Sequence, residues 1–284
     1  MIFEHEIPSG SRLYFGKSAK LKREIENSAS GVLAALGFEE IVTPIFSYHQ
    51  HESFEKSNTL VRLNDESNHE VTLRADSTAD VVRIVTKRLG RSMESKKWFY
   101  IQPTVAYPTK EQYQIGAEII DGSFEEVAQI TAALLKKLDI KPIIQISNIR
   151  IPHLLNEKYG ISLEVLKSMH IEQILCANMP WMESLVGINS VDDLKDLSAF
   201  PKDIRVELEK IKTAAQKIND STMVISPLFY AKLRYYDSLT FRMFEGNELL
   251  ATGGIYTIDN VEAAGFALYT DECITYKMEK MSRE

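Results

Sequence analysis

Two polar residues flanking a glycine at alternate places in one short stretch set the chemical question: Gln114, Gly116 and Glu118 of the run Q-I-G-A-E. In an extended chain alternate side chains share a face. An amide, a gap and a carboxylate therefore line up on one side while Ile115, Ala117 and Ile119 line up on the other. A carboxylate beside an amide suits a small ligand that carries an ammonium group. A plain edge strand with one wet face produces the same alternation, so the pattern alone leaves both readings open. A second carboxylate, Asp76, falls where the alternating run EVTLRAD gives way to the helical run STADVVRIVTKRLG. At such a junction a carboxylate caps the helix, alone or with Ser77, or faces a ligand. His49 and His51, with Glu52 adjoining, could share a strand face, but a metal site needs a third ligand that the sequence does not place, so no metal is expected.

The elements that must position these groups can be read from periodicity. Residues 98 to 118 read as two strands joined by a polar loop. Before them, 17 to 36 reads as an amphipathic helix with Leu21, Ile25, Val32 and Leu36 at helical spacing and Gly37 as its stop. GFEEIVTP reads as a strand ending at Pro44, which cannot donate to a sheet ladder. The helix after Asp76 carries Arg83, Lys87 and Arg91 on one face, either solvated or meeting an anion or a partner. Downstream, Ser123 to Glu126 fits a capping box for a helix with Val127, Ile130, Leu134 and Leu138 inward. A strand follows near 142–147.

From about Pro152 to Asp220 short helical patterns broken by Gly160, Pro180, Gly187 and Pro201 predict a helical insertion, its longest element burying Ile204, Leu208, Ile211, Ala215 and Ile218. Strand character returns at Thr222, with Glu245-Gly246-Asn247 as a hairpin turn. AGFALYT supplies a last strand. Strands at both ends of the sequence around a helical middle predict an α+β architecture: one mostly antiparallel sheet flanked by helices, with residues 1–150 and 221–284 as core and 151–220 as the insertion.

Composition narrows the function classes. The 284 residues are 44% hydrophobic and 26% charged, ordinary values for a globular chain with a full core. A formal net charge of -7 gives no overall electrostatic footprint for nucleic acid. Cys176 and Cys273 are far apart and in no ligand-like spacing, which predicts a reducing compartment. No apolar run approaches membrane-spanning length, so a cytoplasmic location without membrane partners is expected. No phosphate-binding loop, dinucleotide fingerprint, serine elbow or paired-cysteine motif appears, and no cofactor is expected.

The order of segments resembles the catalytic domain of histidyl-tRNA synthetase and its non-synthetase paralogue, the regulatory subunit of ATP phosphoribosyltransferase, from I-P-S-G near residue 7 to about Asp271. GFEEIVTP looks like the first class II synthetase motif, which implies a homodimer. VTLRADSTADVVRI is similar to the segment that binds the histidine ammonium. The synthetases usually have L-R-P-E-G-T there, and R-A-D-x-T is the form that the regulatory paralogue favours. QIGAE matches Q-x-G-x-E. YYDSLTF, TGGIY and AGFAL look like altered versions of Y-Y-T-G-x-x-F, G-G-R-Y-D and G-F-A.

The resemblance thus implies a class II synthetase core without an anticodon-binding domain. Its implied amino-acid pocket holds Asp76 and Glu118 against an α-ammonium, Gln114 to orient it, and Tyr235, Tyr236 and Tyr256 as walls. Adenylation requires arginines that hold phosphates and stabilise developing charge. The motif 2 arginine aligns with Ala106, the acidic residue after it with Pro108, the arginine before the tyrosine pair with Ala231, and the arginine after the last strand with Glu272. These departures imply a non-catalytic regulator that activates a short catalytic subunit in a hetero-oligomer and relays histidine feedback, with tRNA not a partner. The alternatives in other classes are a synthetase-like enzyme that still adenylates an amino acid, and an orphan paralogue that senses one.

Overall fold

Leucine and isoleucine side chains four apart draw the first helix onto the sheet. In the computed structural model, which describes residues 7–48, 59–90, 94–230 and 236–283, α1 (Gly16–Ala35) buries Leu21, Ile25, Ala29 and Leu33. Val32 packs against the same core from its margin, and the stripe stops short of Leu36. Leu36 is exposed because it caps the helix, and Gly37 follows in the left-handed region. The stretch of His49, His51 and Glu52, and Arg91, lie outside the described residues.

Among the described residues the main sheet has eight strands: β1 (Glu39–Glu40), β5 (Lys97–Ala106), β6 (Lys110–Ile120), β7 (Ile143–Asn148), β8 (Met223–Ile225), β9 (Tyr236–Glu245), β10 (Glu248–Ile258) and β11 (Val261–Tyr269). Their order is β1-β5-β6-β11-β10-β9-β7-β8. The two outermost pairs are parallel and the inner pairs antiparallel, in keeping with the expected α+β architecture. A second sheet, ordered β2-β4-β3, joins β2 (Phe46–Ser47), β3 (Arg62–Asn64) and β4 (Glu70–Leu73).

One face of the main sheet packs on helices. The α3 helix (Phe124–Lys137) begins at Ser123, whose hydroxyl accepts the Glu126 N–H at 3.3 Å, and its Val127, Ile130, Leu134 and Leu138 are all buried. The helical stretch is the connection between the parallel strands β7 and β8. It comprises α4 (Arg150–Tyr159), α5 (Leu163–Lys167), α6 (Ile171–Leu175), α7 (Met182–Gly187) and α8 (Lys202–Ile218). A parallel pair needs such a crossover, since a tight turn cannot reverse the chain twice. Ile204, Leu208, Ile211 and Ala215 of α8 enter the same apolar core as α1, α3 and the sheet. The last element, α9 (Thr270–Arg283), is a helix that hydrophobic patterning did not announce.

The opposite face of the sheet is closed by α2 (Thr78–Arg83), which runs on as a π-helical turn over Ile84–Leu89. The segment that leads into it is anchored by Arg74. Arg74 donates from Nε and Nη2 to the Pro103 carbonyl (3.0 and 2.8 Å) and from Nη1 to the carbonyls of Thr43 (2.8 Å) and Pro44 (3.1 Å). A buried guanidinium satisfied by backbone oxygens ties β4, the segment after β1, and β5 into one unit, the fixed geometry that a flexible lysine cannot reproduce. The basic face beyond it is paired locally. Arg83 and Lys87 meet Asp259, Lys96 meets Asp121 at 2.6 Å and Lys97 meets Glu126 at 2.8 Å.

Arg74→Met leaves these carbonyls without their donor. It is expected to lower unfolding free energy by about 3 kcal/mol, since hydrogen bonds to charged groups contribute about 1.5–3 kcal/mol each. The exposed pair of Arg62 with Glu70 is the control, and Arg62→Met should change stability by no more than about 1 kcal/mol in the same urea titration.

Candidate functional site

The hairpin β5–β6 lies inside the sheet, with β6 between β5 and β11, so the edge-strand reading of Q-I-G-A-E is overturned. From Gln114 to Ile119 both faces of β6 are dry. Ile115, Ala117 and Ile119 enter the main core, and Gln114 and Glu118 are buried on the other side beneath α2. The gap at Gly116 is not open space. A Cβ there would overlap the ring and hydroxyl of Tyr100, which stands directly opposite on β5. The glycine lets an aromatic ring lie flat on the strand.

Glu118 is fully buried, and three hydroxyls surround it. Its Oε1 accepts from Thr78 Oγ1 at 2.8 Å and from the Tyr100 hydroxyl at 3.4 Å, and its Oε2 accepts from the Tyr256 hydroxyl. The carboxylate leans over Gly265 of β11, where any Cβ would collide with it. No lysine or arginine forms an ion pair with it among the described residues. Burial raises its pKa to about 8; the hydroxyl donors pull it down and the charge of Asp76 pushes it up.

The remaining predicted residues fall around this group. Asp76 accepts the Ala79 N–H on Oδ2 at 3.1 Å, so Asp76 rather than Ser77 serves as the side-chain cap of α2. Ser77 instead receives Gln102 Nε2 at 3.0 Å and Gln114 Nε2 at 3.3 Å. Tyr236 meets Tyr256 edge to face, with centroids 6.3 Å apart and an interplanar angle of 82°. Burial pushes the hydroxyls of Tyr100, Tyr236 and Tyr256 well up, reinforced by the nearby acids. Asp76, Glu118, Tyr236 and Tyr256 therefore form one cluster, with Gln114 on the same face of β6 and bound to Ser77. Tyr235 lies outside the described residues.

The sequence reading missed Thr78, Tyr100 and Tyr269. Tyr269 stands across from Gln114 in the sheet, and its hydroxyl lies 2.9 Å from Thr252 Oγ1. A signal for Tyr100 was present: a glycine facing an aromatic residue in a hairpin register implies that the ring fills the space.

Two of the positions aligned with adenylation groups, Ala106 and Pro108, lie at the other end of the hairpin. Ala106 closes β5 opposite Lys110, and Pro108 sits in the loop between the strands. That loop is bound to the segment before α1: Thr109 Oγ1 donates to the Ser9 carbonyl at 2.6 Å and the Glu111 N–H to the Gly10 carbonyl at 3.0 Å. Glu272, in the first turn of α9, is half-buried, and burial followed by the charge of Asp271 raises its carboxyl pKa. Asp271 itself accepts from the Tyr14 hydroxyl and the Tyr113 N–H and pairs with Arg12 at 3.5 Å. Ala231 lies outside the described residues.

The raised value at Glu118 has a consequence for stability. The folded chain holds this proton more tightly than the unfolded chain, whose carboxyl has the ordinary value of 4.5. The stabilisation is full below about pH 4.5 and is lost as the pH rises through about 8. Relative to Glu118→Gln, wild-type melting temperature should fall between about pH 5 and pH 8 and level off above, as read by thermal denaturation at matched ionic strength.

A family model described as histidyl-tRNA synthetase matches residues 14–176. An ATP phosphoribosyltransferase regulatory subunit from Wolinella succinogenes is 46% identical over 276 residues, covering 96% of each chain. One from Helicobacter hepaticus is 41% identical, covering 96% of this chain and 98% of that protein. A crystal structure described as an ATP phosphoribosyltransferase regulatory subunit/histidyl-tRNA synthetase from Bacillus halodurans superposes with a TM-score of 0.84 at 18% identity, over 97% of this chain and 84% of that one. With the R-A-D-S-T and Q-I-G-A-E segments folded onto one buried cluster, these matches place the chain in the histidyl-tRNA synthetase-like family of ATP phosphoribosyltransferase regulatory subunits.

Proposed function

We propose that this chain is a non-catalytic regulatory subunit that joins a short catalytic subunit of ATP phosphoribosyltransferase, activates it and relays feedback by histidine. The observation that carries the reading is near-full-length identity of 46% and 41% to two proteins of that name. The site supports it in two ways. The charge at Glu272 is opposite to that of a phosphate-holding arginine, and Ala106 has no donor to offer a phosphate. The loss of one transition-state donor commonly costs about 10² to 10³ in rate.

The amino-acid end keeps its chemistry. Asp76 and Glu118 supply two buried carboxyls for an ammonium group, Gln114 a polar neighbour, and Tyr236 and Tyr256 aromatic walls. A homodimer fits the exposed apolar side chains Val42, Ile45, Phe46 and Tyr48, which lie within and just after the first-motif segment. Residues 151–220 are taken as an insertion into a core of 1–150 and 221–284. No helix of the described residues is long and apolar enough to cross a membrane, in keeping with a cytoplasmic role.

Two measurements test the reading. Co-expressed with a short catalytic subunit from the same cell, the chain should co-purify with it and raise its activity; absence of both overturns the assignment. Amino-acid-dependent pyrophosphate exchange by the chain alone should stay at background with histidine, and a rate above background would restore the synthetase reading.

A further inference from the structure

Burial, rather than a counter-ion, dominates the state of the Glu118 carboxyl. The groups that face it can be named element by element: Asp76 before α2 and Thr78 on it, Tyr100 on β5, Tyr236 on β9 and Tyr256 on β10. Among the described residues none of the groups that face it is cationic. The guanidinium of Arg74 is directed at the carbonyls of Thr43, Pro44 and Pro103 instead. Glycine at 265 lets the carboxyl lie against the β11 backbone, fully out of water.

Hydroxyls suit a carboxyl in either protonation state. A tyrosine or threonine O–H donates to a carboxylate and, after rotation, accepts from a carboxylic acid. A lysine or a backbone N–H could only donate and would favour the ionised form alone. Surrounding Glu118 with three hydroxyls therefore permits the proton to come and go without leaving a buried polar atom unmatched.

We propose that this site exchanges a proton for a cation: an ammonium ligand binds as the Glu118 carboxyl releases its proton to solvent. In the balanced step the O–H bond of the carboxylic acid breaks, the proton passes to water, and the carboxylate so formed pairs with the incoming R–NH₃⁺, with no change in the total charge of the buried site. The inference rests on the amino-acid reading above and adds the linkage to it. The raised pKa of about 8 agrees with a carboxyl that is largely protonated in the ligand-free chain at neutral pH.

Calorimetric titration of the full chain with L-histidine, repeated near pH 7.5 in phosphate and in Tris, counts the protons exchanged through the difference in buffer ionisation heat. Wild type should release most of one proton per histidine, and the count should fall as the pH passes about 8. Glu118→Gln should bind more weakly and release none. Binding by wild type without proton release, or equal release by both proteins, overturns the exchange and leaves the pocket standing. Absence of any histidine binding by wild type overturns the pocket reading and the exchange together. Infrared difference spectra guard against a variant that binds nothing. A protonated-carboxyl stretch should be present in ligand-free wild type at neutral pH, absent in Glu118→Gln, and lost from wild type on adding histidine. Its persistence with histidine bound sinks the proposal.

Discussion

Removing a carboxyl from water at Glu118 imposes conditions on much of the structure around it. The carboxylate fits only because Gly265 has no Cβ, and Tyr100 reaches it only because Gly116 has none. Thr78 reaches it only because α2 starts where it does. That start is fixed by the Asp76 cap and by Arg74 clamped to the carbonyls of Thr43, Pro44 and Pro103. A buried carboxyl is tolerated when its lone pairs are matched, and hydroxyls from three separate elements, α2, β5 and β10, match them. Thus R-A-D-S-T divides its work: the arginine anchors, the aspartate caps, the serine joins Gln102 to Gln114, and the threonine meets Glu118.

The two ends of the β5–β6 hairpin differ in kind. At the Glu118 end the side chains form a self-consistent polar cluster under α2. At the loop end Ala106 and Pro108 carry no charge, and Glu272 adds an acid beside the already buried Asp271. Transfer chemistry on a nucleotide needs preorganised positive charge where phosphate charge develops. A chain can keep a site for one small cation without that machinery, and a regulator requires only that the ligand be held differently in two states of an assembly.

Much of this was legible in the sequence because it depends on local period and register. The inward residues of α3 and α8 followed from spacing, and the α+β architecture followed from strands on both sides of a helical middle. Three features were not legible, each for a tertiary reason. The wet face suggested for β6 is dry, since alternation reports which residues share a side and is silent on whether a helix covers it. The gap at Gly116 holds Tyr100, which depends on the register of the partner strand. The last helix, α9, escaped notice because its burial is concentrated near its start, with Cys273 and Ile274 in the core and mostly polar residues beyond.

On the proposed function, the cluster around Glu118 lets a regulatory subunit transmit an amino-acid signal. The most direct measurement is histidine inhibition of the reconstituted complex, comparing wild type with Glu118→Gln in the regulatory subunit. The variant complex should still assemble and turn over but need a higher histidine concentration for half-inhibition. Identical inhibition curves for the two complexes would contradict it.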